Sequence, residues 1–245
     1  MKILKFSALA SVLFLGCAAD PGTRPHDMSA ASHEAEAKQE DTASAAHGTQ
    51  FDPAAESTEQ HASRGGSWTS TTNPTKEHDA EAQHHHELAV EHRAASTALT
   101  QAETRACVDV SEADRDSSPF SHREDITSVT PLEEKVVTGK NSREKLVGAT
   151  TVFRATPGMT AEWLQRVVDC HVARAASVGH AMPEMDYCPL ALNNIESAKV
   201  GSAGDGFSIT VRSEDPATAE AILKRSQGLS SAKSASAAEA RQASK

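Results

Sequence analysis

The C-terminal half of the sequence predicts an α+β fold, in which two β-β-α units form a ββαββα domain over residues 129–229. Three observations predict it: two pairs of β-rich segments, a helical pattern after each pair, and a similarity between the two strand–helix junctions. This order makes a four-stranded sheet with two helices on one face, a ferredoxin-like sandwich in permuted or duplicated form.

The first unit opens with two segments rich in β-branched residues, 134–138 and 145–155, which we expect to be strands. A helix is expected over 160–178, because its apolar side chains recur at helical spacing. These side chains are Trp163, Leu164, Val167, Val168 and Val172.

The second unit contains a predicted hairpin, 197–203 and 206–213, around the tight-turn pair Gly204-Asp205. A closing helix is expected over 216–228, with Asp215 as its N-cap and Pro216 at its first position. The junction of the first unit recurs here at an offset of 58 residues. The identical pairs are Arg154/Arg212, Thr160/Thr218, Ala161/Ala219 and Glu162/Glu220.

The remaining segments differ in composition from this domain. Residues 17–75 have few large apolar side chains and predict a disordered tether. Residues 76–107 predict a His-rich helix, and residues 108–128 a loop. Residues 230–245 predict a disordered tail.

The first 16 residues are typical of a bacterial signal peptide, with two lysines followed by an uncharged stretch too short to span a bilayer. Phe14-Leu15-Gly16-Cys17 resembles the lipobox of bacterial lipoproteins, which implies cleavage after Gly16 and acylation of Cys17. Ala18 after this cysteine favours the outer membrane, facing the periplasm. The lipid chains are then the expected membrane contact.

The charge of the chain argues against nucleic acid as a partner. Removal of residues 1–16 leaves 22 basic against 34 acidic side chains, a net charge of −12. Phosphate contacts require a basic surface, so nucleic-acid binding is not expected.

Three cysteines remain after Cys17, in a compartment where disulfides persist. Cys170 and Cys188 enclose a short segment, and we expect them to form a disulfide. Cys107 is then the odd thiol, although its pairing with either of the other two stays open.

The His-rich helix is a candidate metal site. His78, Glu81 and His85 lie on one helical face at spacings of three and four, and His92 follows one heptad later. Imidazole and carboxylate groups at this spacing bind zinc or copper. A solvated polar helix is the alternative interpretation.

The loop that follows the first domain helix offers a second set. His180, Met182, Met185 and Cys188 would suit Cu(I) if the cysteines were reduced. A bridged Cys188 with core-packed methionines is the competing interpretation.

Three segments of the chain resemble a group of bacterial lipoproteins that have no established activity. They are Ser118-Pro-Phe-Ser-His-Arg-Glu-Asp125, Met159-Thr-Ala-Glu-Trp-Leu-Gln-Arg-Val-Val-Asp-Cys-His171 and Pro183-Glu-Met-Asp-Tyr-Cys-Pro189. The resemblance covers roughly residues 76–227 and implies a domain without assigning it a chemistry.

Two functions fit these residues. The first is an envelope lipoprotein with a non-catalytic α+β domain, which binds a partner protein or has a structural role without a cofactor. The second is a periplasmic metal-handling protein for copper or zinc. An enzyme is not expected, because the sequence contains no phosphate loop, dinucleotide fingerprint or nucleophile elbow.

Overall fold

The structure is a computed structural model that describes residues 21–243, with side chains described as far as residue 230. The predicted signal peptide and Cys17 lie outside the described residues. The elements are α1 (Ala30–Gln50), β1 (Ser57–Ser63), β2 (Gly66–Thr72), α2 (Lys76–Ala106), α3 (Glu112–Asp116), β3 (Ile126–Thr138), β4 (Asn141–Phe153), α4 (Ala161–Ser177), β5 (Ser197–Ala203), β6 (Gly206–Arg212) and α5 (Pro216–Ala243). No helix within residues 21–243 is long and apolar enough to cross a membrane.

The α+β class is confirmed. Elements β3, β4, α4, β5, β6 and α5 follow one another in the predicted order, and the four strands form an antiparallel sheet in the order β3-β4-β6-β5. The ferredoxin-like relationship itself stays a prediction. Asp215 caps α5 as expected, since its carboxylate accepts a hydrogen bond from the Thr218 amide at 2.8 Å.

The first strand pair is longer than predicted, because β3 begins at Ile126. The sequence does not predict this first part of the strand, because it contains Pro131 and several polar residues. A proline is tolerated here because β3 is an edge strand, where the missing N–H costs no ladder hydrogen bond. The pairing of β3 with β4 shifts between Leu132 and Glu133, opposite Gly148. Gly148 has a φ of +149°, and a Cβ there would lie 1.9 Å from the Val211 carbonyl oxygen, so the bulge requires glycine.

The domain core lies between this sheet and the helices α4 and α5. Its largest fully buried side chains include Phe120, Ile126, Leu190, Ile209 and Ile222. Phe120 belongs to the 108–128 segment predicted to be a loop, and that segment also contains α3. The segment is therefore a packed part of the domain.

The predicted disordered tether over 17–75 is wrong for much of its length. Residues 30–50 form α1, which packs antiparallel against α2, and residues 57–72 form the β1–β2 hairpin. Large apolar side chains are not needed, because small residues line the contact at heptad spacing and let the two backbones approach closely. These residues are Ala30, Ala37 and Ser44 on α1 and Ala82, Ala89 and Ser96 on α2.

The predicted disordered tail over 230–245 also requires correction, since α5 continues as a helix to Ala243. Its Ala-, Ser-, Lys- and Glu-rich composition carries no helix-breaking residue after Gly228, and alanine has the highest helix propensity.

Close contact between the start of α1 and the end of α4 fixes the helical pair on the α+β domain. Gly179 has a φ of +68°, and a Cβ there would lie 3.0 Å from the Cβ of Ser29, the N-cap of α1. The other end of the pair is the β1–β2 hairpin, beyond the last residue of α1. A 21-residue helix spans about 31 Å, so α1 and α2 hold this hairpin well away from the domain.

A Gly179→Ala variant tests this junction. We expect it to lower the free energy of unfolding by more than Gly204→Ala, for which the left-handed backbone alone costs about 1–2 kcal/mol. Gly204 is the matched control, because its φ is +62° and nothing lies within 4 Å of the place that a Cβ would take there. Equal losses in chemical denaturation of the two variants would contradict the Ser29 contact.

Candidate functional site

A cleft of about 210 Å³ opens in the α+β domain between the segment after α3 and the start of α4. Its floor and walls are largely apolar, and are made by Phe153, Met159, Trp163, Leu164, Val167 and Ile209. Concave apolar surfaces with a few polar groups at the rim are the usual form of ligand sites. Sequence reasoning missed the cleft, because these side chains come from β4, α4, β6 and the loop before α4, and only the fold brings them together.

The rim of the cleft carries paired polar groups. Arg154 lies 3.5 Å from a carboxylate oxygen of Asp125, and Nδ1 of His122 lies 3.1 Å from Glu124. A hydrogen bond from the Glu124 backbone, followed by the one from His122, holds the pKa of the Glu124 carboxyl below its usual range. The rim thus presents both signs of charge around an apolar interior.

Three of these rim residues form a possible cation site. His122, Glu124 and Asp125 each offer a ligand atom within 4.8 Å of the other two, the only such group among the His, Cys, Asp and Glu residues that the structure describes. All three are engaged with each other or with Arg154 and are open to solvent. The group carries no argument for a metal by itself.

A buried polar group lies behind one wall of the cleft. Ser118, which lines the cleft, donates a hydrogen bond to Sγ of Cys188 at 3.2 Å, and Sγ lies 3.3 Å from Nε2 of His171. Burial raises the pKa of the Cys188 thiol, which therefore stays protonated and can donate to His171. Burial lowers the pKa of His171 to about 4, so the imidazole is neutral.

The predicted Cys170–Cys188 disulfide is wrong. The structure joins Cys107 to Cys170, with the Cα atoms 4.5 Å apart, and leaves Cys188 as a buried free thiol. The reason is that Cys107 follows the last turn of α2, which packs on α4, whereas the loop after α4 turns Cys188 into the domain core beside Ser118 and His171. Cys107 is thus not the odd cysteine.

The predicted metal-ligating residues of α2 face α1. Nδ1 of His92 lies 3.0 Å from Nδ1 of His33, and Nδ1 of His78 lies 3.2 Å from Nδ1 of His47. Nδ1 of His85 lies 2.6 Å from a carboxylate oxygen of Glu40. Sequence reasoning did not identify these α1 partners, because the composition of residues 17–75 predicts a disordered tether. The heptad spacing of His33, Glu40 and His47 is nevertheless visible in the sequence. Glu81 is half-buried on the same helix as His78 and His85.

His33 and His92 form the most buried of these pairs. His33 is fully buried and His92 nearly so, and Nε2 of His33 bonds to the Arg24 carbonyl oxygen at 3.1 Å. Burial and then the neighbouring His92 lower the pKa of His33. A carbonyl oxygen can only accept, so Nε2 of His33 donates to Arg24, and Nδ1 of the neutral His33 ring accepts a hydrogen bond from Nδ1 of His92.

The four predicted Cu(I) ligands of the loop after α4 do not come together at one site. Met182 and Met185 pack against the hydrophobic core, and Cys188 is engaged by Ser118 and His171. His180 stands on a left-handed backbone near the start of α1, and burial followed by the charge of His26 lowers its pKa. The methionines thus pack as the competing interpretation expected, although Cys188 is unbridged.

Comparisons with protein-family models, with curated proteins and with solved structures find no match to this chain.

Proposed function

We propose that this chain is a lipid-anchored, non-catalytic binding protein of the bacterial envelope, whose α+β domain takes up an apolar group of an envelope partner protein. The observation that carries the proposal is the cleft, which combines an apolar interior with a charged rim. An inserted side chain of a partner would bury against Met159 and Trp163, while Asp125 and Arg154 offer charge contacts around it.

The chemistry around the cleft supports binding over catalysis. Asp125 is paired with Arg154, and His122 with Glu124. Among the described residues, one thiol lies beside an imidazole, and this pair, Cys188 with His171, is fully buried and neutral behind Ser118. A nucleophile needs access to its substrate and a base that can accept its proton, and this pair is suited to neither task.

The position of the proposed lipid anchor determines how far the α+β domain can lie from the membrane. Cys17 precedes the first described residue, Pro21, by four residues, a span of at most about 14 Å. The residues up to Ser29 lead to the contact with Gly179 on the α+β domain. Acylation of Cys17 would therefore hold the domain close to the membrane, which we propose to be the outer membrane on its periplasmic side.

Fluorescence of a single tryptophan tests the cleft. The chain contains two tryptophans, Trp68 on the exposed β1–β2 hairpin and Trp163 in the cleft, so Trp68→Phe leaves a reporter at the site. We expect anilinonaphthalene sulfonate, an apolar anionic dye, to bind saturably with energy transfer from Trp163. The cleft-filling pair Ser121→Phe/Thr156→Phe, at two exposed lining positions, should weaken binding about tenfold or more.

The partner is tested by photo-crosslinking in cells. A benzoylphenylalanine at Thr156 should give a discrete protein adduct that disappears when Ser121→Phe fills the cleft. The same reporter at Asn141, in the distant β3–β4 turn, is the control. Adducts that form equally from Asn141, or that persist after the cleft is filled, would rule out the cleft as the binding surface.

A further inference from the structure

The far half of the α1–α2 pair, next to the β1–β2 hairpin, is held together almost without apolar contacts. α1 contains no apolar side chain larger than alanine, and α2 contains none before Leu88. The facing residues there are polar, and they repeat every seven positions on each helix. Helices normally gain most of their stability from an apolar face, so this pair needs another source of cohesion.

Four side chains fill that interface and touch in sequence. They are Glu40 and His47 from α1 and His78 and His85 from α2. Glu40 contacts Nδ1 of His85, the His85 ring stacks on the His47 ring at 5.4 Å between centroids, and His47 meets His78. The group is half-buried, which keeps it open to ions in solution.

We infer that these four residues form a binding site for one Zn²⁺-like divalent ion that prefers imidazole ligands. Three imidazoles and one carboxylate are a ligand set that zinc accepts in tetrahedral geometry. Two metal–nitrogen bonds of about 2.05 Å at the tetrahedral angle separate the nitrogens by about 3.3 Å. The Nδ1 atoms of His47 and His78 lie 3.2 Å apart, so this pair already has the spacing of two ligands.

The ion takes the place of the hydrogen between the two Nδ1 atoms of His47 and His78, and the ring that carried this hydrogen on Nδ1 carries it on Nε2 instead, so that both imidazoles bind in the neutral form. Without the ion the four groups form three neighbouring pairs, so the His85 ring must turn from Glu40 towards the His47–His78 pair to become a third ligand. The carboxylate of Glu40 then serves as the fourth ligand or as the hydrogen-bond acceptor that orients His85. The ion thereby crosslinks α1 to α2 where apolar contacts are missing.

The other histidines of the helices do not offer this set. His33 and His92 have a similar Nδ1 spacing of 3.0 Å, but the next group on His33 is the Arg24 carbonyl oxygen, whereas the next group on His47 is the His85 ring. His84 and His86 flank His85 on the exposed side of α2. Substitution of these two residues is a matched control, because it removes the same number of histidines as the interface variant and leaves Glu40, His47, His78 and His85 in place.

The test is a zinc titration of the full, untagged chain against a competing chelator, with Co²⁺ absorption as a report of tetrahedral geometry. We expect one equivalent to bind, with a loss of affinity of about a hundredfold or more in His47→Ala/His78→Ala and no change in His84→Ala/His86→Ala. Zinc should also raise the melting temperature of the wild-type chain and not that of the His47→Ala/His78→Ala variant.

Loss of the helical pair in the alanine variant would be detected by circular dichroism. In that case His47→Gln/His78→Gln, which keeps polar side chains in the interface, replaces it. Absence of a stoichiometric ion, uptake that survives either interface double variant, or equal loss in His84→Ala/His86→Ala would overturn the inference. The cleft variant Ser121→Phe/Thr156→Phe should bind zinc normally, so this site and the proposed partner surface are tested separately.

Discussion

Removal of the Cys107–Cys170 disulfide should lower the free energy of unfolding by about 4 kcal/mol. The bridge joins residues 63 positions apart, and closing a loop of that length restricts the unfolded chain by about this amount in the loop-entropy model. Urea denaturation of Cys107→Ala/Cys170→Ala against the wild-type chain measures the loss. Wild-type protein reduced before denaturation should show a similar loss, since it too has an unrestricted unfolded state.

The bridge also determines how α2 meets the domain. Cys107 follows the last residue of α2, and Cys170 is fully buried in α4, so the bond fixes the end of a 31-residue helix to the domain. Hydrogen exchange in the last turns of α2 should therefore accelerate in the double variant. Non-reducing peptide mapping provides an independent check, because a peptide that links Cys170 to Cys188 would show the assigned pairing to be wrong.

The disulfide pairing could not be predicted from the sequence. Short separation favoured Cys170 with Cys188, since the segment between them is brief and the intervening loop could close. The structure decides otherwise, because Cys188 turns inward to Ser118 while α2 brings Cys107 to α4. Neither fact is visible without knowing that α2 docks on α4, which is a property of tertiary packing and not of local sequence.

The α+β domain was largely predictable, because its signals are local. The Gly204-Asp205 turn, the apolar repeat of α4 and the Asp215–Pro216 start of α5 all lie where the sequence places them. Strand β3 was only half predicted, because Pro131 and its polar neighbours suit an edge strand, whose pattern is weak.

Helix α1 and its pairing with α2 were not predictable by the same reasoning. Composition alone favours disorder for α1, since its buried residues, Ala30, His33 and Ala37, are either small or polar. The informative signal was a heptad repeat shared by two distant segments: His33, Glu40 and His47 in one, His78, His85 and His92 in the other. Matching the two repeats in antiparallel order would have identified both the pairing and the partners of the predicted metal ligands.

The chain should also lose about 3 kcal/mol of stability as the pH falls from about 6.5 to about 4, because of His171. Its side chain is 1% exposed, and burial, followed by the charge of Arg174, lowers its pKa to about 4 from an ordinary value of 6.5. Below pH 6.5 the unfolded chain binds a proton at this position that the folded chain does not. Above pH 6.5 neither state binds this proton and the penalty is absent, and it grows progressively as the pH falls towards 4.

Other groups can be separated from His171 by their pH range. His33 and His180 also have lowered pKa values and add loss in the same direction. Carboxylates such as Glu214 and Asp215, whose pKa values are lowered, lose their contribution only as the pH falls through and below their ordinary values near 4.

Denaturation of His171→Gln at several pH values between 7 and 4.5 isolates this contribution. The variant is expected to be less stable at pH 7, since Cys188 loses its imidazole neighbour, but its stability should depend on pH more weakly than that of the wild type. His122→Gln makes the same substitution at an exposed histidine of the cleft rim and is the control for the substitution itself. Equal slopes for wild type and His171→Gln would mean that the folded chain binds a proton at His171 as readily as the unfolded chain does. Burial would then not keep the His171 imidazole neutral beside Cys188, and the pair could not be counted as a purely structural element of a binding domain.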